Sequence, residues 1–374
     1  MFSVPMRRLS SVGVVLVSAA LISSCGNKPA PPAGGGGPGP APASDLQPPA
    51  APQPPSAEVT KLFETPRKPT GPLKFQIISN AQSAFWEAAR TGMKDEAGKL
   101  GVEANFNAPD KSEVPKQRRL LEDAISSGVD GIAVSAMDPE ALKPIIDELM
   151  MKGKPPVPII TIDSDSPASH RLAYIGTNNF QAGKAAGEAA LKFLPKGGDI
   201  VAFVGNKGAA NAGERINGFR SVTEPHGIKV IAVMEDKTDK TLARKNVEDV
   251  INKYGDKVVG FLGVWAYNPP AIVAAVQSAH KRAQYKIFCF DLEPGTIDAL
   301  KAGQVDYTIV QNPYKFGSLG IQFLTQINRK GLAAANAELK MPANSVLDTG
   351  VTVVTRENVD KFVADLHKLG IKSS

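Results

Sequence analysis

Polar side chains recur in this sequence at the points where short apolar runs end. Asp163 follows the run VPIITI, Asp291 follows IFCF, and Gln311 follows YTIV. Other polar or aromatic residues stand after further runs or at the start of the segments that come next. The collected positions are Ser79, Ser83, Phe85, Trp86, Ser135, Asp163, Arg215, Trp265, Asp291 and Gln311.

These residue types suit hydrogen bonding to hydroxyl groups rather than bond-breaking chemistry. Carboxylates, amides and guanidinium groups each offer two hydrogen-bonding positions in one plane. Flat aromatic faces fit the C–H surface of a small ring. Together they predict a site for a small, neutral, hydroxyl-rich molecule. No nucleophile–base pair stands out, so the protein is not expected to be an enzyme and no cofactor is expected.

The elements that must position these residues alternate between strand and helix. The stretch KFQIISNAQSAFW, residues 74–86, reads as a strand, a polar turn and the start of a helix. The same order recurs up to residue 162, and a second series runs from 173 to 369. Such alternation predicts parallel, doubly wound sheets, which bind ligands beyond the carboxyl ends of their strands. We therefore predict two similar α/β lobes whose loops face a shared cleft.

The chain begins with a predicted secretion signal over residues 1–24. Arg7 and Arg8 precede a short apolar run, and LISSC, ending at Cys25, resembles a bacterial lipobox. This predicts a lipid on Cys25; plain secretion with a free cysteine is the alternative. Residues 25–72 are rich in Pro, Ala and Gly and predict a disordered tether.

Composition argues against two further classes of function. The net charge is +6, but no arginine-rich block is present, so nucleic acid is not an expected partner. Four histidines and two cysteines leave little material for a metal site. The segment GNKG, residues 205–208, lacks the ending of a phosphate-binding P-loop.

From about residue 74 to 331 the sequence resembles the periplasmic sugar-binding proteins of ABC transporters, of the ribose-binding type. The resemblance rests on blocks in the family's order, which are IISNAQSAFW, SSGVDGIAVSAMDPEAL, VPIITIDSD, AYIGTNNFQAGKAAGE, ERINGF, FCFD and YTIVQNPYKFG. It implies a sugar ligand, with Phe85 and Trp86 flanking the ring. It also implies hydroxyl contacts from Asp163, Arg215 and Asp291.

The resemblance also assigns segments to the lobes and shows departures. Residues 73–177 plus 312–341 would form the N-terminal lobe, and 178–311 plus 342–374 the C-terminal lobe, joined by three crossings. Ser83 and Ser164 replace an asparagine and an arginine of ribose binders, so the sugar stays open. In WAYNPPA, either Trp265 or Asn268 would face the ligand.

The predicted function is a monomeric, lipid-anchored, extracytoplasmic substrate-binding protein. It would close about a hinge on a sugar and deliver it to the membrane permease of an ABC importer. The alternative is a sensor module that presents a sugar or signal molecule to a membrane receptor kinase or chemoreceptor.

Overall fold

The first lobe is built on a parallel six-stranded sheet. The computed structural model describes residues 52–67, 71–152 and 155–371. Strand order in this sheet is β11-β5-β4-β3-β1-β2. The strands are β1 (Lys74–Ile78), β2 (Glu103–Asn107), β3 (Gly131–Val134), β4 (Ile159–Ile162), β5 (Tyr174–Gly176) and β11 (Val346–Asp348). The helices are α1 (Ala57–Leu62), α2 (Trp86–Leu100), α3 (Val114–Ser126), α4 (Pro139–Lys152), α10 (Pro313–Lys330) and α11 (Leu332–Glu338).

The second lobe repeats this arrangement, with strand order β12-β10-β9-β8-β6-β7. Its strands are β6 (Gly198–Val204), β7 (Ile228–Glu235), β8 (Val258–Gly263), β9 (Lys286–Phe290), β10 (Tyr307–Val310) and β12 (Thr352–Val354). Its helices are α5 (Asn179–Phe193), α6 (Ala210–Thr223), α7 (Lys240–Tyr254), α8 (Asn268–Ser278), α9 (Pro294–Lys301) and α12 (Val359–Lys368). Strands β10 and β12 run antiparallel. The predicted pair of α/β lobes is confirmed.

Apolar runs explain why these segments form central strands. All residues of β3 (GIAV) and β4 (IITI) are buried, as expected where helices cover both faces of a parallel sheet. Helices α5 and α6 lie so close together that a Cβ on Gly183 would stand 2.1 Å from the carbonyl oxygen of Arg215. This close approach holds Arg215 at the cleft side of the second lobe.

The chain crosses between the sheets three times, and the third crossing lies later than the sequence predicted. Crossings follow β5 and β10, as expected. The expected third crossing was at Met341–Asn344, where the second lobe was to resume. Instead β11 pairs with β5 in the first sheet, with Val346 opposite Tyr174, so the chain crosses between β11 and β12. A three-residue strand carries too little periodicity to be recognised from sequence.

Part of the predicted tether is folded onto the first lobe. Ser56 caps the start of helix α1, and its hydroxyl accepts a hydrogen bond from Val59 N at 3.3 Å. Val59 and Phe63, one helical turn apart, are buried in the core of the first lobe. Phe63 O accepts from Leu332 N at 2.7 Å. The expectation of disorder over 25–72 is therefore wrong for this segment, because apolar packing and backbone hydrogen bonds attach it to the first lobe.

The remaining predictions for the amino-terminal region, the signal at 1–24, the lipid on Cys25 and the tether up to residue 51, lie outside the described residues. Within the described residues, no helix has the length and apolar character needed to cross a membrane.

Candidate functional site

The carboxyl ends of both sheets open onto one cavity between the lobes. Its volume is about 160 Å³. Since one water position needs roughly 10–15 Å³ on this measure, the cavity has the scale of a single sugar ring. The predicted residues that line it are Ser83, Phe85, Trp86, Asp163, Arg215, Trp265, Asp291 and Gln311.

Two aspartates occupy equivalent places in the two lobes. Asp163 follows β4 and Asp291 follows β9, which are the fourth strands of the two series. Both adopt left-handed backbone angles, with φ of 59° and 61°. A hydroxyl from the next strand holds each carbonyl: Tyr174 donates to Asp163 O at 2.8 Å and Thr308 to Asp291 O at 2.7 Å. This unfavourable conformation turns both carboxylates into the cavity.

The Asp163 carboxylate has neutral donors as hydrogen-bond partners. Ser135 Oγ donates to its Oδ2 at 2.8 Å, and Asn80 Nδ2 donates to the same atom at 3.4 Å. Burial raises the pKa of Asp163 to about 6, and the Asp291 charge adds to the rise. Arg215 and the Ser135 hydrogen bond act in the opposite direction. Asp163 therefore titrates within a few units of neutrality.

The Asp291 carboxylate has a cation and an amide as neighbours. Arg215 Nη1 lies 3.6 Å from its Oδ2. Gln311 donates to it twice, from its backbone N at 3.2 Å and from Nε2 at 2.9 Å. Burial raises the pKa of Asp291, while Arg215 and Gln311 act to lower it. The second lobe thus holds a fixed carboxylate–guanidinium–amide group at the cavity wall.

Two polar atoms in this group are buried without a partner in the described residues. They are Nη2 of Arg215 and Oε1 of Gln311. The side chain of Arg215 is 1% exposed; its Nε donates to Asn179 at 2.9 Å and its Nη1 to Val264 O at 2.9 Å. An unsatisfied buried donor or acceptor is costly, so a ligand that supplies hydroxyl groups would stabilise both.

Aromatic side chains form two walls. In the first lobe, Phe85 and Trp86 meet edge to face with ring centroids 5.1 Å apart. Trp86 is 2% exposed and also packs on Phe106, so it is mainly a core residue that supports Phe85. In the second lobe, Trp265 and Tyr267 line the cavity, and Trp265 Nε1 donates to Asn211 at 3.1 Å.

Three predicted residues do not line the cavity. Ser79 donates to Ala81 O at 2.9 Å, and Ser135 holds Asp163. Asn268 accepts from Trp265 N at 3.0 Å, so of the two candidates in WAYNPPA it is Trp265 that lies at the cavity. All three are buried. Ser79 and Ser135 come directly after strands, where a side chain can point into the sheet packing rather than into the cleft, and Asn268 begins α8.

Sequence reasoning missed several lining residues. Those in the loops after the edge strands β2 and β7 are Pro109, Asp110, Lys111, Ser112, Thr238 and Lys240. Those that follow inner strands are Asn80, Ala81, Gln82, Asn211, Ala266 and Glu293. The rule that ligands lie beyond carboxyl strand ends also covers the strands β2 and β7, and would have found residues 109–112 and 238–240.

The two lobes contact each other through loop residues. Ser83 Oγ of the first lobe lies 3.5 Å from Glu293 Oε1 of the second. Asn206 Nδ2 of the second lobe donates to Met137 O of the first at 3.2 Å. Lys240 Nζ lies 3.7 Å from the other oxygen of Glu293. The loops of both lobes thus enclose the cavity together.

Comparison with known proteins identifies a family and individual proteins to which this chain is similar. A family model described as a periplasmic binding protein domain matches residues 76–331. The xylose/arabinose-binding protein of Sulfolobus acidocaldarius is 27% identical over 316 residues, which cover 80% of this chain and 75% of that protein.

Two solved structures are similar over most of the chain. One is an ABC transporter solute-binding protein from Burkholderia graminis in complex with D-arabinose, with 29% identity, a TM-score of 0.69 and coverage of 78% of this chain and 98% of the other. The second is a glucose-galactose binding protein from Geobacillus stearothermophilus, with 26% identity, a TM-score of 0.70 and coverage of 77% and 99%. The resemblance found in the sequence is confirmed.

Proposed function

The chain belongs to the periplasmic binding protein domain family, and from that premise we propose that it binds a monosaccharide in the cleft between its lobes. The prediction that it is not an enzyme is confirmed, because the family and the relatives are binding proteins. The finer function, supply of the sugar to an ABC importer, is our inference from the relatives and the sequence.

One observation carries the sugar assignment. The cavity presents two carboxylates, and beside Asp291 the buried Nη2 of Arg215 and Oε1 of Gln311 have no partner in the described part of the chain. A vicinal diol both donates and accepts hydrogen bonds, so it satisfies carboxylates and guanidinium together. Phe85 on one side and Trp265 on the other offer apolar faces for the C–H surface of the ring.

Binding would close the cleft about the three crossings. A ligand that contacts both lobes stabilises the closed arrangement by its differential affinity for that state. We infer that this monomeric closed form is what the membrane permease recognises, and that lipid on Cys25 keeps the protein at the cell envelope.

Calorimetry with a panel of aldopentoses and aldohexoses tests the sugar assignment. We expect binding of at least one sugar, with an affinity that falls sharply for the variant Asp291→Asn. Absence of heat with every sugar would contradict the proposal.

Radioactive palmitate labelling of wild type and of Cys25→Ser tests the lipid anchor. Equal labelling of both proteins would contradict the proposed lipid on Cys25.

Gene deletion tests the transport role. Loss of uptake of the bound sugar supports delivery to an importer. Intact uptake together with a lost transcriptional response to the sugar would instead favour the sensor module.

A further inference from the structure

The aromatic wall of the second lobe is hydrogen-bonded to a buried carboxylate, and this carboxylate does not line the cavity. Residues 265–268, here called the aromatic loop, follow β8 and contain Trp265 and Tyr267. Asp236 follows β7 and is fully buried. The Tyr267 hydroxyl donates to Asp236 Oδ1, and Asn268 Nδ2 donates to Asp236 Oδ2 at 2.9 Å.

Asn268 carries this connection to Trp265. The two polar atoms of its side-chain amide have different hydrogen-bond partners. Nδ2 donates to Asp236, and Oδ1 accepts from the backbone N of Trp265 at 3.0 Å. One carboxylate therefore holds Tyr267 directly and Trp265 through a single amide.

Asp236 is itself fixed by its own segment. Its backbone N donates to Val204 O at 3.0 Å, and Lys237 N donates to Gly205 O at 2.8 Å. Lys237 and Thr238 both have positive φ, 54° and 64°, and this turn brings Thr238 N to 2.9 Å from Asp236 Oδ1. Two successive residues in this unfavourable region persist only where the surrounding contacts impose them.

The end of β6 leaves room for the aromatic loop. A Cβ on Gly205 would stand 2.3 Å from Trp265 Cζ3 and 2.5 Å from the Tyr267 hydroxyl. Gly205 thus leaves space for the rings of Trp265 and Tyr267. Asp236 holds the same two residues through hydrogen bonds, directly for Tyr267 and through Asn268 for Trp265.

We propose that Asp236 is the positioning residue for the aromatic wall of the second lobe, so that it determines sugar affinity through Trp265 and Tyr267 without contacting the sugar. This inference rests on the proposed sugar-binding function, and it adds to that site a residue that does not line the cavity.

The carboxylate cannot be replaced by an amide without a conflict. Both oxygens of Asp236 receive N–H donors, Thr238 N on one and Asn268 Nδ2 on the other. Asparagine at 236 would set its own NH2 against one of these donors in either orientation. If Asn268 turned to relieve the conflict, its NH2 would meet Trp265 N instead. The disturbance therefore reaches Trp265.

A double-mutant cycle tests the proposal through the sugar. We expect Asp236→Asn to weaken binding by about tenfold in the wild-type background and by less than about twofold in a Trp265→Ala background, since residues that act through one another are not additive. Equal effects in both backgrounds, or no effect in either, would overturn the proposal. Asp239→Asn is the matched control, because Asp239 caps α7 by accepting from Thr241 N and Leu242 N and does not line the cavity.

A second arm needs no ligand. The chain has two tryptophans, so Trp86→Phe leaves Trp265 as the single indole. In that background we expect Asp236→Asn, but not Asp239→Asn, to increase acrylamide quenching of Trp265 by about twofold or more at a temperature where every variant is folded, because the displaced indole becomes more accessible. Unchanged quenching would overturn the proposal. If wild type bound no sugar, the proposed function would fail, and this arm would still decide the role of Asp236.

Discussion

The two aspartates at the cavity share a backbone conformation but differ in their electrostatic surroundings. Each ends the fourth strand of its lobe with a left-handed φ and a carbonyl held by the hydroxyl of the next strand. Asp291 lies beside Arg215, whereas Asp163 accepts from Ser135 and Asn80. One carboxylate thus lies beside a cation, whereas the other accepts hydrogen bonds from neutral donors.

The largest effect is expected from Asp291→Asn. Removal of this charge would take a proposed acceptor from the sugar and leave the buried Arg215 without its nearest carboxylate. Loss of one partner of a buried charge pair costs about 2–5 kcal/mol of binding free energy, so we expect sugar binding to be lost by calorimetry. Burial raises the pKa of Asp291, so the ionised carboxylate does not stabilise the free protein, and chemical denaturation should show no loss of stability. Unchanged sugar affinity would contradict the role of Asp291.

Asp163→Asn is expected to stabilise the free protein. The folded-state pKa of Asp163, about 6, is above its ordinary value of 3.8. A raised pKa contributes stability that is fully present below pH 3.8 and is lost as the pH rises through 6. Since one pKa unit corresponds to about 1.4 kcal/mol, the neutral amide should stabilise the free protein at pH 7 by roughly 2–3 kcal/mol.

The same variant should bind sugar more weakly. In the proposed site ionised Asp163 would accept from a sugar hydroxyl, so wild-type affinity should rise between pH 5 and 7, while stability falls. Burial also raises the pKa values of Glu214 and Asp236, each to about 7, and the difference between wild type and Asp163→Asn isolates the contribution of Asp163. A variant that is less stable than wild type at pH 7 would contradict the account of this residue.

A smaller effect is expected where the first strands of the two lobes end. Gly205 follows β6, and Ser79 follows the equivalent strand β1. Gly205→Ala would force Trp265 aside, and such overpacking costs about 1–3 kcal/mol. Ser79→Ala removes one hydrogen bond, to Ala81 O, worth about 1 kcal/mol. Calorimetry on both variants should show a larger loss of sugar affinity for Gly205→Ala than for Ser79→Ala. A larger loss for Ser79→Ala would contradict the importance of Gly205 for the position of Trp265.

The smallest effect on binding is expected from Phe63→Ala. Helix α1 packs on the first lobe, where Arg67 N donates to Asn328 O at 2.7 Å, and its residues are absent from the lining of the cavity. We expect unchanged sugar affinity and faster hydrogen exchange at Arg67 and Leu332, because the helix would open locally. A change in sugar affinity would contradict this prediction and would show that packing of helix α1 influences the cleft.

The sequence was sufficient for the features that depend on local pattern. Buried parallel strands are continuous apolar runs, so the ends of β4 and β9, and with them Asp163 and Asp291, could be predicted. The docked α1 depends on two apolar residues within a segment of tether-like composition. Asp236 meets Asn268 only because β7 and β8 both flank β6 in the folded sheet. The sequence around Asp236 or Asn268 contains no pattern that predicts this contact.

A crystal structure of the protein with its tightest-binding sugar is the most direct measurement. We predict one sugar in the cavity between the lobes, with hydroxyl oxygens within hydrogen-bond distance of the carboxylates of both Asp163 and Asp291 and with Arg215 Nη2 donating to the ligand. A sugar that contacts only one of the two aspartates, or that binds outside this cavity, would contradict the account.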